Sequence, residues 1–550
     1  MTVISSEKNI LEDPTLGSNS SPSIHHEHQR QEIPTQRLVL LCLGLSTGLF
    51  LSFLDSSIVA TSLFTIGTEF NDQERVNWVA LAYTLSYLGC AVFLASLSNV
   101  IGRRDAFLLS YVIFLAFSLG CGFAQNLQQL IAFRALQGLG GSVIILPEIA
   151  PQRLLQALAA IIGIIITLSS VLGPVLGGIL TKYASWRWVF WINGPIGAAS
   201  FLLFFITWPK PQFLPDLERR SWIELDYFGS SLLIAAAVLI VFPFQNAGSA
   251  TDGWDKPIFL APLIIGLIAF FGVFAWSFFV DRRWGDKVAA ALPMNLLRDR
   301  VYASAVLNTL FLGFPYILVI YAFPLRCQVV NGKDALVAGV MLLPMLGSSA
   351  IGSAVSGKVN GKVDHSCETL VVATSFMVLG CGLLTTISGS VTLEAKALGF
   401  LVFVGLGFGL SVSTTTMLAA LRSSVRDHAS AQGIVAQVRV LGGSLGIAAS
   451  SAILGVSLHA QVGGLVTSQQ IASVGKGGDD LPPGVLVAIR RAYSDAFRED
   501  MRVCTIISGI ALIWALGTYS RKRLSRTRQQ EQRIQDEIER RKAAAGRGPQ

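Results

Sequence analysis

Charge is scarce in this chain. Only 14% of its 550 residues are Asp, Glu, Lys or Arg, while 52% are hydrophobic. Ordinary globular proteins carry about 25% charged residues. A chain so poor in charge cannot cover a water-exposed surface, which excludes a cytosolic enzyme, a secreted domain and a disordered protein. Histidine is scarce too. The six (His25, His26, His28, His365, His428 and His459) lie in the N-terminal segment or between apolar runs. A membrane-embedded acyl transferase would need an intramembrane His beside Ser or Asp. The seven cysteines (Cys42, Cys90, Cys121, Cys327, Cys367, Cys381 and Cys504) form no C-x-x-C pair. Their number is odd and most lie in apolar runs, so they are expected to be small buried residues, with no disulfide framework and no zinc. No cleavable signal peptide is expected, because the first 36 residues are polar and Ser-rich. The sequon Asn19-Ser20-Ser21 lies there and is silent if that segment is cytoplasmic. Gly352-Ser353-Ala354-Val355-Ser356-Gly357-Lys358-Val359 imitates a phosphate loop, but Val359 stands where Ser or Thr must hold magnesium. It is rejected, and no cofactor is expected.

What the sequence has in quantity is long apolar runs. A spanning helix needs about 20 mostly apolar residues. Fourteen runs are candidates: Leu38–Ile66, Val76–Leu97, Ala106–Ala124, Leu127–Ile149, Leu154–Leu180, Trp186–Trp208, Leu225–Phe244, Pro257–Val280, Tyr302–Pro324, Leu336–Val359, Leu370–Ile387, Ala397–Leu421, Ala429–Leu458 and Met501–Tyr519. Backbone groups in hydrocarbon must bond internally, so each run is expected to be helical. With both termini cytoplasmic, 28 of the 42 Lys and Arg fall on the inner side and 12 on the outer, the stretch His459–Asp500 included. That bias matches the positive-inside pattern. The formal charge is +8, of which the segment Ser520–Gln550 supplies +6. Its stem, Arg521-Lys522-Arg523 with Arg526 and Arg528, is expected to lie on anionic lipid, at about 1 kcal/mol per charge. A topogenic anchor explains it better than a regulatory role, and no nucleic-acid partner is expected.

Four polar segments interrupt these runs. Asp55 stands inside the first. A carboxylate at mid-span costs about 2.5–3.5 kcal/mol, so such residues usually face a cavity or a partner and mark an ion pathway. The plainer alternative is an Asp that only pairs or caps inside the bundle. Arg134, Gln137, Gly138 and Gly141 recur at i, i+3, i+4 and i+7, one helical face. Arg134 keeps its charge and needs a carboxylate, a carbonyl or water; a purely structural ion pair is an equal alternative. Glu148 ends the same run and reads as a loop residue. Asn99-Val100-Ile101-Gly102-Arg103-Arg104 reads as a tight basic turn between spans, a positive-inside anchor if nothing more. Gly173-Pro174-Val175-Leu176-Gly177-Gly178 puts a proline and flanking glycines in the fifth run, where a helix can bend and pack closely.

Together these segments resemble the major facilitator superfamily, and within it the fourteen-span drug:proton antiporters of fungi. Asp55-Ser56-Ser57-Ile58-Val59 resembles the first-helix motif L-D-x-T-I-V. Arg134-Ala135-Leu136-Gln137-Gly138 matches R-x-x-Q-G of the fourth helix, and Gly173–Gly178 matches the antiporter motif G-P-x-x-G-G. Gly102-Arg103-Arg104 resembles the second half of the loop signature, whose glycine and aspartate are replaced by Ala95 and Asn99 here. In the family that aspartate helps hold the inner gate. Ser185-Trp186-Arg187-Trp188-Val189-Phe190-Trp191-Ile192-Asn193 resembles the entry to helix six, and Arg439-Val440-Leu441-Gly442-Gly443-Ser444-Leu445-Gly446 resembles a late R-x-L-G-G-S-x-G segment. The segment Pro147–Ala157 carries only Glu148 and Arg153, fewer charges than the family pattern.

The resemblance implies an all-α polytopic membrane protein: two six-helix halves, 38–208 and 301–519, with two extra spans inserted in 209–300. Segments 1–37 and 520–550 would be cytoplasmic tails, the first disordered. It also implies transport without ATP. Moving one charge through 100 mV yields about 2.3 kcal/mol. The expectation is proton-coupled efflux of a small amphipathic organic molecule, a toxin or drug, by alternating access. Asp55 would carry the proton and Arg134 bias it, in a monomer. A cell membrane is the expected location, with the vacuolar membrane as the alternative. Import of a nutrient, an iron chelate or an amino acid, and a sensor on the transporter fold, are the competing readings. Phe53, Phe311 and Phe314 are candidates for an aromatic cavity lining, although most membrane phenylalanines only pack or face lipid.

Overall fold

The computed structural model describes residues 34–70, 72, 75–141, 155–208, 221–247, 256–284, 292, 294–333, 335–360, 364–390, 392, 394–423, 428–462 and 483–520. The helices are α1 (Thr35–Ile58), α2 (Leu63–Glu69), α3 (Asn77–Ile101), α4 (Arg103–Gly122), α5 (Leu127–Gly141), α6 (Leu155–Tyr183), α7 (Trp188–Trp191), α8 (Asn193–Thr207) and α9 (Tyr227–Ala247). They continue with α10 (Pro257–Trp284), α11 (Met294–Arg298), α12 (Arg300–Val329), α13 (Ala335–Val340), α14 (Leu343–Val359), α15 (Ser366–Leu384), α16 (Lys396–Arg422), α17 (His428–Val462) and α18 (Pro483–Gly517). Among the described residues, each of the fourteen apolar runs is mostly helical. Among the described residues, eleven helices are long and apolar enough to cross a membrane. The protein is an all-α polytopic membrane protein.

Two boundaries differ from the sequence reading. The first run is not one helix: α1 stops at Ile58, a short 3-10 turn covers Val59–Thr61, and α2 follows. The last helix begins at Pro483 rather than near Met501. Its early turns set the exposed Arg491 and partly exposed Arg490 and Arg498 against the buried Ile489, Ala492, Ala496 and Phe497. A search for uncharged runs passes over such an amphipathic stretch, whose apolar residues recur every three to four positions.

In the first half, α1 packs on α6 and α8, and α5 packs on α3 and α4. In the second, α12 packs on α17 and α18, and α16 on α14 and α15. The halves meet where α6 lies against α13, α14 and α16, and where α3 lies against α17. Helices α9 and α10 pair with each other, and α9 touches α3 and α17, one from each half. One apolar core crosses the seam, joining Leu41, Leu45, Leu49, Phe107, Ile166 and Phe204 to Leu312, Tyr316, Leu318, Phe323, Met345 and Phe408. Glycines permit the closest helix crossings. At Gly405, Gly409 and Gly442 a Cβ would collide with backbone of the neighbouring helix. The false phosphate loop lies in α14, where Gly352 presses on Leu406 and Leu410.

Candidate functional site

The centre of the first half is polar and closed. Asp55, in the last turn of α1, is fully buried, and so are Arg134 and Gln137 of α5. The Asp55 carboxylate forms an ion pair with Nη1 of Arg134. The same Nη1 donates to Gln137 Oε1 at 2.9 Å, and Gln137 Nε2 donates to Asp55 Oδ1 at 3.1 Å. Arg134 Nε donates to the carbonyl of Val79 on α3 at 3.0 Å. Arg134 therefore finds both a carboxylate and a carbonyl, and one helical face of α5 points inward as the spacing predicts. A pair this deep in apolar surroundings is stable only with its remaining polar atoms occupied, and removing one partner strands the other.

Asn193 supplies a contact that sequence reasoning did not assign. At the start of α8, its Nδ2 donates to Asp55 Oδ1 at 2.9 Å and to Ser118 Oγ at 2.9 Å. Ser118 in turn donates to the carbonyl of Phe190 at 3.0 Å. The signal was the polar residue closing the apolar stretch Trp186–Asn193. Tyr83 of α3 completes the site. The Arg134 guanidinium lies over its ring at 4.2 Å, a cation–π contact. Its hydroxyl donates to the carbonyl of Ser52 at 2.8 Å, and Ser52 Oγ donates to the carbonyl of Gly141 at 3.0 Å. A Cβ at Gly138 would strike the Tyr83 carbonyl.

The G-P-x-x-G-G stretch lies against the turn that carries Asp55. A Cβ at Gly173 would collide with Ser57 and the amide of Ile58, and one at Gly177 with Ile58 and Thr61. Ser57 Oγ donates to the carbonyl of Ser169 at 2.8 Å. Pro174 and Gly178 are buried in the same helix, and Gly339 of α13 faces Pro174 and Val175 from the other half. The motif thus links the acid-bearing turn to the seam.

The structure does not bring the basic turn to this site. Gly102 joins α3 to α4 with φ +105°, a left-handed conformation that only glycine adopts easily. Arg104 lies over the ring of Phe205 at 5.2 Å. The side chains of Asn99 and Arg103 lie outside the described residues, as do Glu148, nearly all of Pro147–Ala157 and the tail 521–550. Phe53, Phe311 and Phe314 are half-buried, and Phe53 tilts onto the ring of Tyr87 with centroids 6.2 Å apart. All seven cysteines are free, and four of them are buried.

Among the described residues the second half holds three buried charges of its own. Arg326 on α12 donates to the carbonyl of Ser388 at 2.7 Å and to Asn331 Oδ1 at 3.4 Å. Arg439 on α17 is 7% exposed, and Asp500 on α18 is 2% exposed. Asp500 accepts from Ser450 Oγ at 2.7 Å, and its other oxygen has no partner among the described residues. It was missed because the sequence reading left it in an outer loop.

Outside the spans, Glu69 at the end of α2 accepts from Trp186 Nε1 at 2.6 Å and pairs with Arg187 Nη1 at 2.7 Å. Partial burial pushes its carboxyl up, but the bonds to Trp186 and Arg187 and the Arg187 charge outweigh this and hold it below the usual range.

Comparison with known proteins agrees with this architecture. The sequence model of the Major Facilitator Superfamily matches residues 45–296 and 248–447. The chain is 31% identical over 500 residues to the MFS-type transporter FPY5 of Fusarium mangiferae, covering 87% of this chain and 83% of that one. It is 27% identical to the aspyridones efflux protein of Neocamarosporium betae, covering 87% and 86%. Among solved structures, a bacterial homologue of the human lysosomal transporter Spinster superposes with a TM-score of 0.53 at 16% identity, covering 88% of this chain and 99% of that one. On its fold and its sequence, this chain belongs to the Major Facilitator Superfamily of membrane transporters.

Proposed function

We propose that the chain exports small amphipathic organic molecules in exchange for protons. In this reading fourteen spans form two six-helix halves, 38–208 and 301–519, that rock about a central site, with the inserted pair in 209–300 bracing both. Relatives named as efflux proteins support the direction of transport. The observation that carries the coupling is the ion pair of Asp55 and Arg134, fully buried within one half. An ionisable group inside a membrane bundle is a default proton carrier. Protonating Asp55 cancels its charge and releases the electrostatic tie between α1 and α5. Arg134 stays charged and keeps the Val79 carbonyl and Gln137 as partners. Because Gly173 and Gly177 press on the Asp55 turn, a shift of that turn is transmitted to α6, and through α6 to α13 and α14. A cell membrane is the proposed location, and the basic tail would meet anionic lipid there.

The test uses the full chain in liposomes and a panel of amphipathic fluorescent dyes. An acidic interior should drive dye accumulation, and an uncoupler should abolish it. Asp55→Asn should remove the pH-driven component while leaving dye counterflow. Accumulation that ignores the uncoupler, or pH-driven transport intact in Asp55→Asn, overturns the assignment.

A further inference from the structure

Arg439 is the counterpart of Arg134 without its carboxylate. It sits on α17 at the seam, its backbone pressed against Gly313 of α12. Nη2 reaches Thr415 Oγ1 at 3.5 Å, a long bond, and Nε is buried with no partner among the described residues. The Thr415 hydroxyl spends its own proton on the carbonyl of Ser411 at 2.9 Å, so it can only accept from Arg439. No ion pair of Arg439 with a carboxylate occurs among the described residues. Across the contact of α17 with α3 stands the Tyr87 hydroxyl, on the other half. That hydroxyl is also buried, in a residue 4% exposed, and has no partner among the described residues. Gln437, two residues before Arg439, fixes the approach of α17 to α3 by donating to the carbonyl of Leu88, the residue after Tyr87, at 2.5 Å. The α3–α17 seam therefore carries a buried cation and a buried hydroxyl donor, with no carboxylate paired to Arg439 among the described residues.

An arginine buried this way is normally matched by an anion, because an unpaired buried charge is strongly disfavoured. The neighbourhood also fixes what else the anion must carry. Tyr87 stacks on Tyr83 with centroids 6.2 Å apart, and Phe53 is tilted against it at the same separation. Phe314 stands half-buried on α12, packed where Gly442 and Gly446 follow Arg439 along α17. We propose that Arg439, with the Tyr87 hydroxyl, recognises an acidic group on the cargo, a carboxylate or an acidic enol, while Phe53, Tyr87 and Phe314 receive its aromatic or alkyl body. The cargo class is then amphipathic organic anions. This deepens the transport reading above and rests on it. The geometry adds a reason for the site's position: its two donors come from opposite halves, so a bound anion bridges them, and rocking of the halves makes and breaks the site.

The test is equilibrium binding to the purified full chain in detergent, with no gradient. Fluorescence titration compares 1-pyrenebutyrate with its neutral amide, which shares the ring and the length. Wild type should bind the carboxylate about tenfold more tightly than the amide, the worth of one charge-assisted contact. Arg439→Gln should erase that preference without weakening the amide. Arg439→Lys should restore part of it, and Tyr87→Phe should reduce it about threefold, a partial loss suited to one hydroxyl. Equal affinities in wild type, failure to bind either probe, or a preference that survives Arg439→Gln each overturns the proposal. Should Arg439→Gln fail to elute as a folded particle, the Tyr87→Phe titration decides alone. The proton-coupling assignment is untouched by these outcomes, since it is read from Asp55 and a pH gradient.

Discussion

The two halves of this transporter treat buried charge in opposite ways. In the first, Asp55 and Arg134 neutralise each other, and Gln137, Asn193 and the Val79 carbonyl occupy further polar positions around them. In the second, Arg326 finds the Ser388 carbonyl, but among the described residues Arg439 has a threonine and no carboxylate, while Asp500 has a serine and no cation. Burying a charge is tolerable when a partner and hydrogen bonds offset its lost hydration, and is otherwise a standing penalty. The first half offsets most of that penalty by pairing the two charges, although Arg134 Nη2 and Asn193 Oδ1 stay buried without a partner among the described residues. In the second, the charges of Arg439 and Asp500 are left unmatched among the described residues, which is the arrangement that the proposed binding of an anionic cargo would complete.

Stability measurements on single variants can break this comparison most directly. Asp55→Ala strands Arg134 in an apolar interior and should cost about 3–5 kcal/mol, the usual penalty for removing one member of a buried pair. Thermal unfolding of the detergent-purified protein reads it, and Asp55→Ala with Arg134→Leu should recover most of the loss. Arg439→Gln should behave in the reverse sense. With no counter-charge among the described residues to strand, it should leave the unfolding temperature unchanged or raise it. Equal destabilisation at Arg134→Gln and Arg439→Gln would mean that Arg439 is paired after all.

Two smaller changes sharpen the picture of the first half. Asn193→Leu removes a donor to an ionised carboxylate, which is worth about 1.5–3 kcal/mol. If unfolding of Asn193→Leu matches wild type, Asp55 does not depend on α8, and the first half is less fully satisfied than its geometry indicates. Gly173→Val places methyl groups where Ser57 and the Ile58 amide already sit. Overpacking of this kind costs about 1–3 kcal/mol. Its distinguishing readout is transport: pH-driven dye accumulation should fall even where the protein remains folded, because α6 would no longer follow the acid-bearing turn closely.

Much of the first half was legible in the sequence because its chemistry is local. Asp55 stands alone in an apolar run, and Arg134 and Gln137 share a face through spacing alone. The glycines of Gly173–Gly178 announced close packing, though not that the neighbour was the Asp55 turn. Tyr83 and Asn193 were not legible as site residues. Each comes from a different helix, and only the packing of α3 and α8 around α1 brings them in. Arg439 was visible as a charge inside a span, but its want of a counter-ion is a fact about three other helices. Asp500 was hidden for a simpler reason. Its helix mixes buried Ile489, Ala492, Phe497 and Met501 with exposed arginines, so the signal is a 3.6-residue period rather than an uncharged run.

The smallest expected effect comes from the surface pair of the same half, where the same two charge types meet in water. Glu69 and Arg187 are 42% and 28% exposed. Solvent screens them, so Glu69→Gln should cost no more than about 0.2–1 kcal/mol, several-fold less than the buried pair. Its pH dependence has a definite sign. The folded carboxyl titrates below its unfolded value near 4.5, so the folded state favours the ionised form. The pair's contribution is therefore complete above that unfolded value, and it fades as the pH falls toward and through the lower folded value. Glu69→Gln should then unfold more easily than wild type near neutral pH, and the two curves should converge in acid. Added salt should also narrow the gap near neutrality. A gap that persists in both acid and high salt would trace instead to the Trp186 hydrogen bond, and would show that this outer contact is a packing feature rather than an ionic one.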